Sequence, residues 1–368
     1  QKLNVTKTVT EITTGADGED VVTSREVPVK FTKIAAGPDF AMAIDVDGNL
    51  YTWGRNNNGQ IGNGTDTSDF IDEKNPSEVS NKETLVPSPQ MVAYFTDYNV
   101  VMQDISAGGS VGNSYAMALS SNGDVFAWGS NKFNQVENSD NEIVSTPVYV
   151  PVSRMTSIAA GKGDEFTTSY GVQELGKVLA WGSNENSEMG EGVIDSVTGQ
   201  AIVSGGGLEN IRVLEVAAGN GNAAALTENT TNNSYEYYVW GNNDNGQLGV
   251  DGKIVVYPTL VEALKDNPAT PNADETILVS AVELSESHTI IIDALTKRAY
   301  TWGKNDHNQL GYQQSILNNG KPMTSPSTEN YAKEAHLVTR DKGDLNFLEV
   351  ASGKNHSVGI VIPASEAE

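Results

Sequence analysis

The stretch Trp240-Gly241-Asn242-Asn243-Asp244-Asn245-Gly246-Gln247-Leu248-Gly249 recurs, with small changes, around every tryptophan of the chain. All five tryptophans precede a glycine: Trp53-Gly54, Trp128-Gly129, Trp181-Gly182, Trp240-Gly241 and Trp302-Gly303. Three residues beyond each Trp stands Asn (Asn56, Asn131, Asn184, Asn243, Asn305), and seven beyond stand Gln60, Gln135, Glu188, Gln247 and Gln309. An apolar residue follows (Ile61, Val136, Met189, Leu248, Leu310), then Gly62, Gly190, Gly249 or Gly311, with Glu137 as the exception. A unit copied five times is a repeat, and repeats dictate architecture before any other signal does.

A second half-motif precedes each Trp unit and ends in small residues: Ile34-Ala35-Ala36-Gly37, Ile105-Ser106-Ala107-Gly108, Ile158-Ala159-Ala160-Gly161 and Val216-Ala217-Ala218-Gly219. Val282-Glu283-Leu284-Ser285 is an eroded fifth copy, and Val350-Ala351-Ser352-Gly353 is a sixth with no Trp-Gly after it. Short apolar runs such as Ala41–Ile44 and Ala116–Leu119 come next, then turns such as Asp47-Gly48 and Asn122-Gly123, then the Trp strand. Asp-Gly and Asn-Gly between apolar runs are hairpin signals, because glycine supplies the positive φ of a primed turn.

Each repeat therefore holds several short antiparallel strands and no convincing helix. Successive tryptophans lie 75, 53, 59 and 62 residues apart, a length suited to a four-stranded propeller blade with its loops. The fold expected is all-β: one propeller over residues 1–368, its blades four-stranded and antiparallel. Trp53, Trp128, Trp181, Trp240 and Trp302 are expected to anchor the wedges between blades as core residues.

Six Ala-Gly halves face five Trp-Gly halves. The two stretches Val5–Thr13 and Val21–Phe31 are strand-like and flank a Gly15–Gly18 turn. They are expected to complete the last blade and close the ring, with residues 1–30 as closing strands, 31–349 as five repeats and 350–362 as the final half-blade. The expected count is six blades. Seven would need a unit hidden between Gly62 and Asp104.

The two halves together resemble the regulator of chromosome condensation repeat, an Ala-Gly-x-x-His-Ser/Thr half followed by a Trp-Gly-x-Asn-x-x-Gly-Gln-Leu-Gly half. The resemblance covers residues from about 31 to 362. It implies a propeller, usually of seven blades, from which a count of six departs. The His-Ser/Thr element is matched by His288-Thr289 and His356-Ser357, and its place elsewhere is assigned to Asp39-Phe40, Ser114-Tyr115 and Gly221-Asn222. Members of the family carry out nucleotide exchange on a nuclear small GTPase, chromatin docking, ultraviolet perception, service beside ubiquitin ligases, and inhibition of a secreted β-lactamase. Fold alone does not choose among these.

Composition narrows the choice. Lys plus Arg number 23 against 48 Asp plus Glu, a formal net charge of −25. Nucleic acid and anionic membrane surfaces are repelled by such a chain, and no window supplies a basic footprint. With no cysteine, disulfides, thiolate catalysis and cysteine-ligated zinc are excluded. No apolar run approaches the roughly 20 residues of a membrane helix.

No catalytic motif is present, so neither an enzyme nor a cofactor is expected. His288 and His356 occupy the repeat's own histidine position, and Asp45-Val46-Asp47-Gly48-Asn49 lacks the Gly and Glu of a calcium loop, so no metal site is expected. The expectation is a non-enzymatic interaction module with a protein partner, secreted or surface-associated. The alternatives are a cytoplasmic regulator of a small GTPase and an inhibitor of a secreted enzyme.

The candidate surface is the set of turns five residues after each Trp, which hold Asn58, Phe133, Asn186, Asn245 and His307. Loops on one propeller face are the usual binding surface. The longest insertion, Asn63–Gln90, follows one of these turns and offers Phe70 amid acidic residues. Asn58, Phe70, Phe133 and His307 are the expected partner contacts.

Overall fold

The computed structural model describes residues 5–14, 20–66, 85–137, 139–163, 167–192, 200–229, 234–262, 279–311, 317–318, 321–322, 331–340 and 343–362. Each repeat folds as four antiparallel strands paired in chain order, because hairpin turns link neighbours that alternate toward two buried faces. Blade one comprises Phe31–Ala36, Phe40–Asp45, Leu50–Arg55 and Leu85–Met91. Blade two comprises Met102–Gly108, Tyr115–Ser120, Val125–Ser130 and Ile143–Val150. Blade three comprises Met155–Ala160, Thr168–Gln173, Val178–Gly182 and Gln200–Ile202. Blade four comprises Arg212–Ala218, Asn222–Asn229, Ser234–Asn242 and Ile254–Leu260, and blade five Val279–Leu284, His288–Asp293, Ala299–Lys304 and Tyr331–Leu337. A short helix, Ala93–Asp97, links blades one and two and buries Phe95 against Trp128, an element the strand-only reading omitted.

The innermost strands carry the Ala-Gly segments and lie side by side in chain order, where small side chains let the blades converge. The wedges between blades hold the core. Trp128 and Trp240 are wholly buried, Trp181 and Trp302 almost so, and Trp53 is half-buried. Each glycine after Trp has φ between 94° and 118°. A Cβ on Gly54 would stand 2.5 Å from the Phe40 Cα and one on Gly129 2.6 Å from that of Tyr115, so the crowded bulge beside each Trp admits only glycine.

Two expectations fail. Among the described residues there are five four-stranded blades, not six or seven, followed by a two-stranded half-blade, Asn346–Ser352 with Ser357–Ile362. The N-terminal strands do not close a ring with that half-blade. Among the described residues Thr6–Thr14 and Asp20–Pro28 pair only with each other, in an uninterrupted nine-residue register. The physical reason is that a tight local hairpin satisfies these backbones without the entropy of closing a loop of the whole chain. Lys7 pins the hairpin to blade one through Asp45 and Asp47. The inner strands record the opening: Ile105, Ile158, Val216 and Val282 are buried, whereas the equivalent Ile34 of blade one is 76% exposed.

Candidate interaction surface

The Trp-Gly unit builds the same turn five times. The Asn three residues after Trp accepts the amide N–H of the apolar residue five further on. The five bonds are Ile61 to Asn56 (3.0 Å), Val136 to Asn131 (3.0 Å), Met189 to Asn184 (2.9 Å), Leu248 to Asn243 (2.9 Å) and Leu310 to Asn305 (3.1 Å). The Gln or Glu side chain then accepts the N–H two residues before it, from Asn58, Phe133, Asn186, Asn245 and His307 at 2.7–2.9 Å. The recurrent amides are thus consumed in holding the turn.

All five turns lie beside the loops that join the first and second strands of the blades. Gln60 donates to Asp39 (3.2 Å), and the Lys304 N–H donates to the Ser287 carbonyl (2.9 Å). The candidate residues fare differently within this face. Asn58 is buried, Phe133 half-buried and His307 exposed, the last sharing a hydrogen bond of 2.8 Å with Asp306. Phe70 lies outside the described residues. Sequence reasoning missed Lys132, Glu185, Asp244 and Asp306, which stand one position earlier in four of the turns and are exposed. The ion pair with Lys304 (3.0 Å) and the bonds from His307 and Gln309 hold the Asp306 carboxyl below the usual range.

Inner strands supply a second set of charges. Lys162 donates to Glu283 (3.2 Å) and to the Leu284 carbonyl (3.0 Å), and Lys33 pairs with Asp104. Desolvation, with the nearby charges of Asp104 and Glu283, raises the pKa of Glu215. Among the described residues, no group of His, Asp and Glu is arranged to hold a metal ion. At Asp45 the oxygens a cation would need accept the N–H groups of Asp47 and Asn49, the Asn49 amide and the Lys7 ammonium.

One constellation imitates a catalytic pair. His288 lies between Ser285 Oγ, 2.7 Å from Nδ1, and Ser357 Oγ, 2.8 Å from Nε2. Ser357 donates its own proton to the Gln309 carbonyl (2.9 Å), so it must accept from His288, whose Nε2 carries the hydrogen. Such an imidazole cannot deprotonate Ser357. Burial, and then the charges of Lys162 and His356, lower its pKa to about 4. In blade two Tyr115 makes the equivalent tie, its hydroxyl sharing a hydrogen bond with Ser169 Oγ (3.0 Å) and accepting the Gly161 N–H (2.9 Å) across the wedge.

Strand pairing also corrects the placement of the His-Ser/Thr element. The residue opposite each Trp-Gly glycine is Phe40, Tyr115, Thr168, Asn222 or His288. The histidine slot is therefore Phe40, Tyr115 and Asn222 themselves, one residue later than the sequence assignment. Counting from the Ala-Gly glycine would have found this in blades one and four.

The Regulator of chromosome condensation (RCC1) repeat is detected at residues 47–112, 122–164, 236–292 and 298–360, with a second form of it at 31–60 and 104–135. The chain belongs to the RCC1 repeat family. It is 28% identical over 215 residues to the mouse E3 ubiquitin-protein ligase HERC2, covering 58% of this chain and 4% of that protein. It is 24% identical over 354 residues to the guanine nucleotide exchange factor SRM1 of Saccharomyces cerevisiae, covering 90% of this chain and 67% of that one. The structure of Prp20p from Saccharomyces cerevisiae, described with its binding to Gsp1p and histones, superposes with a TM-score of 0.58 at 20% identity. That match covers 91% of this chain and 84% of Prp20p, and it shows the shared fold. The chain thus spans 4% of the HERC2 ligase and about two thirds of SRM1.

Proposed function

We propose that this RCC1 propeller is a non-enzymatic regulator that binds a protein partner through the rim of blade turns, and that the partner is a small GTPase whose nucleotide exchange it promotes. The observation that carries this reading is the alignment of 90% of the chain with the exchange factor SRM1. Prp20p, described with binding to Gsp1p and histones, supports an intracellular regulator over the secreted scaffold expected from sequence.

The chemistry suits an exchange factor. Nucleotide exchange breaks no covalent bond; it needs a surface that binds the GTPase better without nucleotide than with it. A nucleotide site is lined by N–H groups and a lysine that hold phosphate, so losing the nucleotide uncovers positive potential. A chain of net charge −25, with Glu185, Asp244 and Asp306 exposed on one rim, complements that potential and speeds encounter. Phe133 and His307 on the same rim supply the apolar and aromatic contacts.

The test is release of a fluorescent guanine nucleotide from a purified small GTPase with the chain added in catalytic amount. Faster release is expected, with Asp244→Ala/Asp306→Ala and Phe133→Ser slowing it at unchanged melting temperature. No acceleration and no complex with the nucleotide-free GTPase would end this reading.

A further inference from the structure

The Gln or Glu that closes each blade turn has a second side-chain atom to satisfy beyond the turn itself. Blade one supplies Asp39, whose Oδ1 accepts Gln60 Nε2 (3.2 Å) and, from the next blade, Ser114 Oγ (2.6 Å). Gln247 donates to Asn242 Oδ1 (3.5 Å) and Gln309 to Asp306 Oδ1 (3.2 Å). In blade three Glu188 carries the carboxylate itself, and the Asn186 amide donates to it (3.2 Å). Blade two breaks the pattern. Ser114 stands where blade one has Asp39, and Gln135 Nε2 has no partner among the described residues.

Two hydroxyls share its condition. Ser130 Oγ and Thr167 Oγ1 also lack partners among the described residues, and Ser130, Gln135 and Thr167 are 0%, 0% and 1% exposed. The repeat brings the three together. Ser130 and Gln135 occupy the places of Asn242 and Gln247, which are bonded, and Thr167 that of Ser114, which meets Gln60 on Asp39. A Cβ on Gly182 would lie 2.5 Å from the Thr167 carbonyl oxygen and 3.4 Å from Gln135 Cβ, so both line the wedge between blades two and three. Buried donors without acceptors cost free energy until an acceptor arrives. The rim beside them changes character too. Lys132, on the same turn, is exposed and has no ion pair among the described residues, whereas Glu185, Asp244 and Asp306 hold its place in the next three blades. Phe133 beside it is half-buried, and Val111, on the loop joining the first two strands of blade two, is 63% exposed. A Cβ on the adjacent Gly112 would meet nothing within 4 Å, so the tip of that loop has room to move aside.

We propose that the rim of this wedge binds the carboxylate of an Asp or Glu side chain from a protein partner. The carboxylate accepts from Gln135 Nε2, Ser130 Oγ and Thr167 Oγ1, Lys132 balances its charge, and an apolar neighbour packs on Val111 and Phe133. Asp39 shows that a carboxylate suits this place in the repeat, since it satisfies the equivalent donors one wedge earlier. A phosphate dianion suits it less, because one lysine does not offset two charges on a chain of net charge −25. That net charge also repels isolated anions, so the acidic residue arrives within a segment that is basic overall. Its ligand is defined by this chemistry alone, whether or not the partner is a GTPase.

The probe is the peptide acetyl-Lys-Phe-Asp-Lys-amide, titrated into the isotope-labelled 368-residue chain at physiological salt and followed through the side-chain amide resonances of Gln135. Saturable shifts of that amide are expected. The same peptide with Asn for Asp is more cationic, so long-range attraction favours it. It should nevertheless bind at least about tenfold more weakly, because the charge-assisted hydrogen bonds are lost. Lys132→Ala, an exposed substitution, should weaken the Asp peptide about threefold at unchanged melting temperature. Thr167→Asp, close to the native residue in size, supplies a carboxylate from within and should abolish binding. Equal binding by the Asn peptide, full binding to Thr167→Asp, or a Gln135 amide unmoved throughout the titration would each overturn the proposal. Displacement of the peptide by an equal concentration of inorganic phosphate would overturn the choice of carboxylate.

Discussion

Replacing Trp240 by Ala tests whether the arc is held by blade-to-blade insertion. Trp240 is wholly buried, donates to the Glu188 carbonyl at 2.6 Å and meets Tyr170 edge-on with centroids 6.0 Å apart. Emptying such a site costs about 3–5 kcal/mol. Within that, the lost indole hydrogen bond accounts for about 1 kcal/mol, since the Glu188 carbonyl still accepts the Tyr170 hydroxyl (2.7 Å), and the lost aromatic pair for about 1 kcal/mol. Trp53 provides the internal comparison: it is half-buried, and no described residue accepts its indole N–H. Its removal should cost about 1–2 kcal/mol, the value of partial burial alone. Both variants would be unfolded in urea and followed by far-ultraviolet circular dichroism, which does not depend on the deleted fluorophore. Equal losses at the two positions would refute insertion into the preceding blade as the source of the stability.

Glu188→Gln should stabilise the chain at neutral pH and leave it unchanged in acid. Burial raises the Glu188 carboxyl above the ordinary glutamate value, so its contribution is fully present below the unfolded pKa and lost as pH rises through the folded one; urea midpoints against pH read this directly. The imidazole of His288 carries the opposite sign. With its pKa lowered from 6.5 to about 4, its contribution is present above 6.5 and lost as pH falls through about 4, a change of roughly 3 kcal/mol that His288→Phe should abolish. Deleting residues 1–28 should leave the melting temperature within a few degrees, since Lys7 is the hairpin's described tie to blade one and Asp45 keeps its bonds from Asn49 and Asp47. A loss as large as that from Trp240→Ala would mean that the hairpin braces the whole arc.

The sequence alone determined the repeat, its strand order and the residues of its turns. These are local facts: Trp-Gly marks a bulge that only glycine fits, and Asn and Gln bond to backbone within five residues of themselves. Even the position of the hydroxyl that reaches Gln309 was readable from the His356-Ser357 pair. Where the distance from the Ala-Gly glycine varied, reading failed. Three residues separate Gly37 from Phe40 but seven separate Gly108 from Tyr115, so only strand pairing assigns the slot.

Tertiary structure decided closure and exposure. Thr6–Thr14 reads equally well as a partner for Asp20–Pro28 or for a strand more than three hundred residues away, because alternation along a strand does not name its neighbour. Asn58 and His307 share a repeat position, yet one is buried and the other exposed, since their surroundings come from loops of different blades. The cavity beside Gln309 is likewise invisible in sequence, because its walls, Ile290, Leu310, Val338 and Phe347, come together only when the half-blade packs on blade five.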